Sequence, residues 1–170
     1  MKSQQFEPAA FVKYDEEGTL SMPVLVGLLR AVLEKGKPFQ FEATGGSMSP
    51  FVRDGDVITV SPLSGTSPRL GDVVAFIRLE NGKLVVHRLV GKRDGCYLIR
   101  GDSAPDNADL IPRASVLGRV TKVERDGKRL YLGLGPERYL IAFLARRGLL
   151  WPLLLPVLWL VRPVVRRQRE

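Results

Sequence analysis

One serine, one histidine and a short run of aspartates carry the chemical possibilities of this chain. Ser47 lies in Thr44-Gly45-Gly46-Ser47-Met48-Ser49-Pro50, ahead of Gly55-Asp56 and the β-rich run Val57-Ile58-Thr59-Val60. The paired glycines open backbone conformations closed to other residues, and Pro50 stiffens the exit. A serine presented at such a bend is a nucleophile if a base lies within reach. His87 is the single histidine, within Val85-Val86-His87-Arg88. An acidic stretch follows it, with Asp102, Asp106 and Asp109 between Gly101 and Leu110. Hydroxyl, imidazole and carboxylate are the three parts of a nucleophile–base–orienter set, which is recognised by role and not by chain order. Taken one at a time, each has an ordinary reading. Gly/Ser/Pro turns punctuate loops, a lone histidine on an apolar strand is commonly a core residue, and loop aspartates cap turns.

Four boxes in series shift that balance. Ser47-Met48-Ser49-Pro50 with Gly55-Asp56, then Gly71-Asp72-Val73-Val74-Ala75-Phe76, then Val86-His87-Arg88, then Gly101-Asp102 with later aspartates, span about 44–120. In this order they resemble the type I signal peptidases. The bacterial leader-peptidase branch has lysine where this chain has His87, so the chain is similar to the serine/histidine branch of archaea, the endoplasmic reticulum and some bacteria. Related folds occur in self-cleaving repressors. The resemblance implies Ser47 as nucleophile and His87 as base. Gly46 and Met48 would bind substrate, although core filling explains Met48 equally well. Asp102 matches the Gly-Asp of the last box, and Asp109 best fits the spacing of the second family aspartate, with Asp106 as the alternative. Ser103-Ala104-Pro105 departs from the asparagines usual there. Arg88 reads as a solvated neighbour. The Ser47 N–H with a nearby backbone or hydroxyl group would receive the oxyanion. The implied reaction is cleavage after small residues in a precursor's exported leader, with the substrate extended along a strand edge.

These groups need a scaffold, and the sequence supplies mostly strands. Phe39–Ala43 alternates and leads to Ser47. Val57–Ser61, Val73–Ile77, Leu84–Val90 and Tyr97–Arg100 follow, with a last hairpin of Val116–Val123 and Leu130–Leu134 about Asp126-Gly127. Asn81-Gly82 predicts an antiparallel pairing that places His87 on a central strand. A further strand is expected near Ala10-Phe11-Val12. Ser21 to Lys35 reads as one helix, with Ser21 as N-cap, Gly36 as stop, and Leu25, Leu28, Leu29, Val32 and Leu33 on one face. The expected fold is mainly β, a folded sheet or barrel-like domain of the signal-peptidase or repressor-protease kind. It divides into a lead and helix (1–37), a peptidase domain (38–135) and a basic apolar tail (136–170).

At 170 residues with one cysteine and one histidine, the chain has no internal disulfide, and a zinc site of the usual ligands is not expected. No cofactor is implied. Of the net charge of +8, +5 falls in residues 136–170, where seven arginines face Glu137 and Glu170. The same tail holds Trp151, Trp159 and an uncharged run from Gly148 to Val161. That run would extend roughly 21 Å as a helix, short of a hydrocarbon core of about 30 Å, and Pro152 and Pro156 interrupt it. The expectation is a membrane-associated protein, at the plasma membrane, with lipid met by residues 136–170 and the side of the active site open. No nucleic acid is expected, because the tail lacks interleaved stacking platforms. Met1 to Gly18 shows no secretory signal, and the helix before the serine box is too short and charged for an anchor, which leaves room for a separate anchoring partner. Rival readings are a cytoplasmic protease maturing one dedicated precursor and a non-catalytic membrane-binding module. A self-cleaving repressor is disfavoured by His87 and by the lack of a DNA-binding region ahead of the domain. An ordinary imidazole would lose activity below about pH 6.5.

Overall fold

The computed structural model describes residues 11–12, 21–103, 108–154 and 156. Among the described residues nine strands form one sheet, and the helices Met22–Glu34 and Arg138–Arg146 pack on it. The strands are β1 (Phe11–Val12), β2 (Phe39–Glu42), β3 (Val57–Ser61), β4 (Val73–Ile77) and β5 (Leu84–Arg93). They continue as β6 (Cys96–Arg100), β7 (Asp109–Ile111), β8 (Val116–Arg125) and β9 (Lys128–Leu130). Their spatial order is β1-β2-β3-β8-β4-β5-β6-β7, with β9 paired to β8. Only β1–β2 is parallel. The mainly-β expectation holds, although the last strand, expected at Leu130–Leu134, lies earlier at Lys128–Leu130 and the chain turns after it.

The first helix, α1, runs from Met22 to Glu34. Leu25, Leu29 and Leu33 recur every fourth residue and are buried against Phe39, Ile58, Val60 and Val120. Each such leucine contributes about 1.5–3 kcal/mol by leaving water. Ser21 begins the helix, but its backbone carbonyl does the work, accepting from Val24 and Leu25 N–H groups while its hydroxyl makes no cap bond.

Strand β4 is the spine of the site. It pairs with β8 on one side and β5 on the other, with Val74 opposite His87 and Val73 opposite Arg88. Successive side chains of a strand point to opposite faces, so β5 sends His87 and Arg88 apart. The β8–β9 hairpin closes as expected through Asp126-Gly127, both at positive φ, the geometry of a two-residue hairpin loop.

Two expectations fail. The acidic segment read as loop contains β7, which pairs Asp109 with Ile99 and Ile111 with Tyr97. Three residues are too few to show alternation, and burial of Ile111 against β6 decides the matter. The tail also does not separate from the domain at 135/136. The second helix, α2 (Arg138–Arg146), buries Ile141, Ala142 and Ala145, and with Leu150 they pack on Phe51 and Val90. Gly71, at φ +86°, lies so close that a Cβ there would meet the Arg138 carbonyl oxygen at 2.6 Å. No helix of the described residues is long and apolar enough to cross a membrane.

Candidate active site

The loop carrying Ser47 is fastened at its base and its crown. At the base, Ala43 N–H donates to the Asp56 carbonyl at 2.7 Å, and Gly55 N–H to the Ala43 carbonyl at 2.9 Å. Gly45 takes φ +84° and donates its N–H to Asp54 Oδ1 at 2.7 Å, so one glycine of the pair makes the sharp turn. At the crown, Ser103 N–H donates to the Ser47 carbonyl at 2.9 Å, and the Ser103 hydroxyl to the Gly46 carbonyl at 2.6 Å. Ser103 was no more than a departure from a motif in the sequence; here it clamps the nucleophile turn.

The clamp is held in turn by a buried ion pair. Arg88 Nε and Nη2 donate to the two Asp102 carboxylate oxygens at 2.8 and 2.7 Å, with both side chains fully buried. Arg88 Nη1 also donates to the Gly71 and Gly133 carbonyls, each at 2.8 Å. The guanidinium lies 5.5 Å from the Phe51 ring centre. Arg88 is therefore not a solvated neighbour. Burial pushes the Asp102 carboxyl upward, and the Arg88 hydrogen bonds oppose that push. Asp102 does not reach His87. It was expected among the acids that orient the imidazole, but strand alternation puts it with Arg88 on the far face.

On the near face, His87 Nε2 lies 3.0 Å from Ser47 Oγ. With the ring proton on Nδ1, Nε2 accepts from the hydroxyl, as a general base must. Burial, with the charge of Arg78 adding to it, lowers the His87 pKa to about 4, while Asp109 pulls the other way. Burial thus favours the neutral ring, and the expected acid limb near pH 6.5 moves down towards 4. Among the described residues, nothing hydrogen-bonds to the buried His87 Nδ1. Asp109, the preferred orienter, is paired with Arg78 Nη2 at 2.8 Å. Asp106 lies outside the described residues.

Ser47 and His87 open on a cleft of about 340 Å³. Phe41, Ala43, Met48, Leu84 and Val86 give it an apolar wall, and Arg78 stands at one side. Met48 both lines this cleft and belongs to the core, so its two readings are one position. Gly45, not Gly46, lines the cleft; the Gly46 carbonyl accepts from Ser49 and Ser103. Among the described residues, no group of three or more His, Cys, Asp and Glu side chains is placed to hold a metal ion.

A family model described as Peptidase S24-like matches residues 9–121. The chain belongs to the Peptidase S24-like family. No curated protein matches it. The matched segment holds the Ser47 turn, β4, His87 and Asp109. As an S24-like peptidase, the protein is of the serine-peptidase type. What sequence reasoning missed at the site is Arg78 and the Arg88–Asp102 pair, each joining residues distant in the chain. The one available signal was the repeated Gly-Asp. Asp56, Asp72 and Asp102 all follow a glycine, all are buried, and all meet an arginine.

Proposed function

We propose that this S24-like peptidase is a signal-peptidase-like endopeptidase that cuts a precursor protein in an extended segment, after a small side chain. The observation that carries the reading is the 3.0 Å approach of Ser47 Oγ to His87 Nε2 on the floor of an apolar cleft. A second feature supports an extended substrate. Pairing of β5 with β6 begins at Arg88, so among the described residues Leu84 to His87 has β4 on one edge and no strand on the other. An open strand edge beside the nucleophile is where a peptide can add as a further strand. The Phe41, Met48, Leu84 and Val86 side chains favour small apolar groups near the scissile bond.

In this reading His87 Nε2 takes the Ser47 proton as Oγ attacks the substrate carbonyl carbon. The Ser47 N–H makes no hydrogen bond among the described residues and is free for the oxyanion. The imidazolium then gives its proton to the leaving amine, and the C–N bond breaks to leave an acyl-serine. Water, deprotonated by the same ring, hydrolyses that ester and restores both groups. The test is incubation of the full chain and of Ser47→Ala with a panel of secreted precursors and of cytoplasmic ones, read by mass spectrometry of the products. Cleavage after small residues in leader segments, lost in Ser47→Ala, is the expected result. Cleavage confined to one cytoplasmic precursor would instead favour dedicated maturation. Cleavage that survives Ser47→Ala would end the serine mechanism.

A further inference from the structure

The outward side of α2 and of the short helical stretch after it is apolar where a solvated surface would be polar. Leu140 is 60% exposed, Phe143 49%, Leu149 44% and Leu153 53%. These residues alternate with Ile141, Ala142, Ala145 and Leu150, which fill the inner face against Phe51 and Val90. The segment is therefore apolar on two sides, and the sheet covers only one. Contiguous exposed apolar surface of this kind marks an interaction site. Its rim is basic and aromatic. Arg147 lies over the Phe143 ring at 4.7 Å and Arg138 over Tyr139 at 4.8 Å.

We propose that this face docks on an anionic lipid surface, with Leu140, Phe143, Leu149 and Leu153 entering the headgroup–acyl boundary and the arginines meeting lipid phosphates. Apolar residues on one side of a helix with cations flanking them are the signature of an interfacial element that lies on a bilayer. Charge complementarity favours lipid over a second copy of the chain, since two copies would bring their arginines together. The test is flotation of the full chain with vesicles of phosphatidylglycerol and phosphatidylcholine, and with vesicles of phosphatidylcholine alone. Binding to the first, at least tenfold weaker on the second and weakened at least tenfold by Leu140→Ser with Phe143→Ser, is expected. Arg147→Gln should weaken only the anionic arm. Absence of flotation with either vesicle overturns the proposal. So does flotation that the paired serine variant leaves unchanged, because the arginine-rich end would then suffice. Self-association through this face, seen as a dimer in light scattering that the serine variant dissolves, also overturns it.

A separate observation concerns the buried, unpartnered Nδ1 of His87. The carboxylate whose charge acts on that ring, Asp109, is taken by Arg78 at the mouth of the cleft. The ring meets Phe76 of β4, the charged pair Arg88–Asp102 lies on the other face, and among the described residues the charges acting on the ring are those of Arg78 and Asp109. We infer that Arg78 is a positioning residue, competing with His87 for the Asp109 carboxylate and so setting whether the imidazole is oriented. The only histidine in the chain makes the test direct, since one imidazole is followed by NMR as pH is varied. Arg78→Met should bring the Nδ1 proton into a hydrogen bond, shifting its resonance downfield, and raise the titration midpoint. Arg78→Met with Asp109→Asn should lose both effects. An unchanged spectrum in Arg78→Met, or the same rise in the double variant, would show that the arginine acts only as a nearby charge and would overturn the inference.

Discussion

Two arginine–aspartate pairs flank β5, and they differ in little but water. Arg88–Asp102 has side chains 0% exposed on both partners, with two parallel hydrogen bonds and two further carbonyls on the guanidinium. Arg78–Asp109 is joined by one contact of 2.8 Å, with side chains 32% and 42% exposed. A buried pair resists breakage because either partner, left alone, is a desolvated charge. An exposed pair is worth little and exchanges partners readily. The far side of β5 is thus built to be permanent, and the cleft side to be changeable. The permanent side holds the serine turn through Ser103, and the changeable side faces the base.

Breaking the buried pair is the largest perturbation available to this comparison. Asp102→Asn should cost about 3–5 kcal/mol, since it leaves the Arg88 charge buried without its partner. Urea unfolding would show it as a lower midpoint at unchanged slope. A loss under about 1 kcal/mol would mean that the pair is not the fixed half of the site. Phe51→Ala attacks the same half from beneath. Phe51 is buried between α2 and Gly133, under the Arg88 guanidinium. A cavity there should cost about 3–4 kcal/mol, and because Phe51 follows the Ser47 turn it should lower kcat as well. Stability loss with full kcat would separate α2 from the nucleophile.

Next in size is the acid response of His87. Its folded pKa, about 4, lies below the ordinary 6.5, so the folded state resists a proton that the unfolded chain accepts. The stability this neutral ring contributes is complete above pH 6.5 and is lost progressively as pH falls from there towards 4. Across that window the loss approaches about 3 kcal/mol. Activity should nevertheless persist to near pH 4 in the protein that remains folded, because the base is still neutral. A rate that halves near pH 6.5 would show that His87 is more open to water than its position in the fold allows.

These contrasts also mark what the sequence could tell. Alternation and the Gly-containing turns were local signals, so the strands and the hairpins at Asn81-Gly82 and Asp126-Gly127 could be read in advance. Ser47 and His87 were legible as a pair only because four boxes came in order; nothing local says that residues 40 apart sit 3.0 Å from each other. The partners of the aspartates were not legible. Asp102 and Asp109 are the same residue in the same acidic stretch, and only their places, one just past β6 and one on β7, send one to Arg88 and the other to Arg78. The imidazole's depressed pKa was hidden for the same reason, since burial belongs to the fold and not to the motif. In the tail, the apolar run was read as a whole, but α2 splits it into a face that packs and a face left open.

The smallest stability effect should come from the changeable pair, and it carries the sharpest functional contrast. Asp109→Asn keeps the side-chain shape and removes the charge that Arg78 meets. With the partners 32% and 42% exposed, the loss should stay below about 1 kcal/mol. If Asp109 orients the imidazole during turnover, kcat should fall by one to several orders of magnitude, as when the acid of a triad is made neutral. Asp102→Asn should do the reverse, unfolding the protein at lower urea while the fraction still folded keeps the His87 titration it had. A variant pair that behaved alike, both losing stability or both losing only rate, would erase the division of labour across β5. Opposite outcomes would show that one residue type, repeated within seven positions of the chain, serves the scaffold on one face and the chemistry on the other.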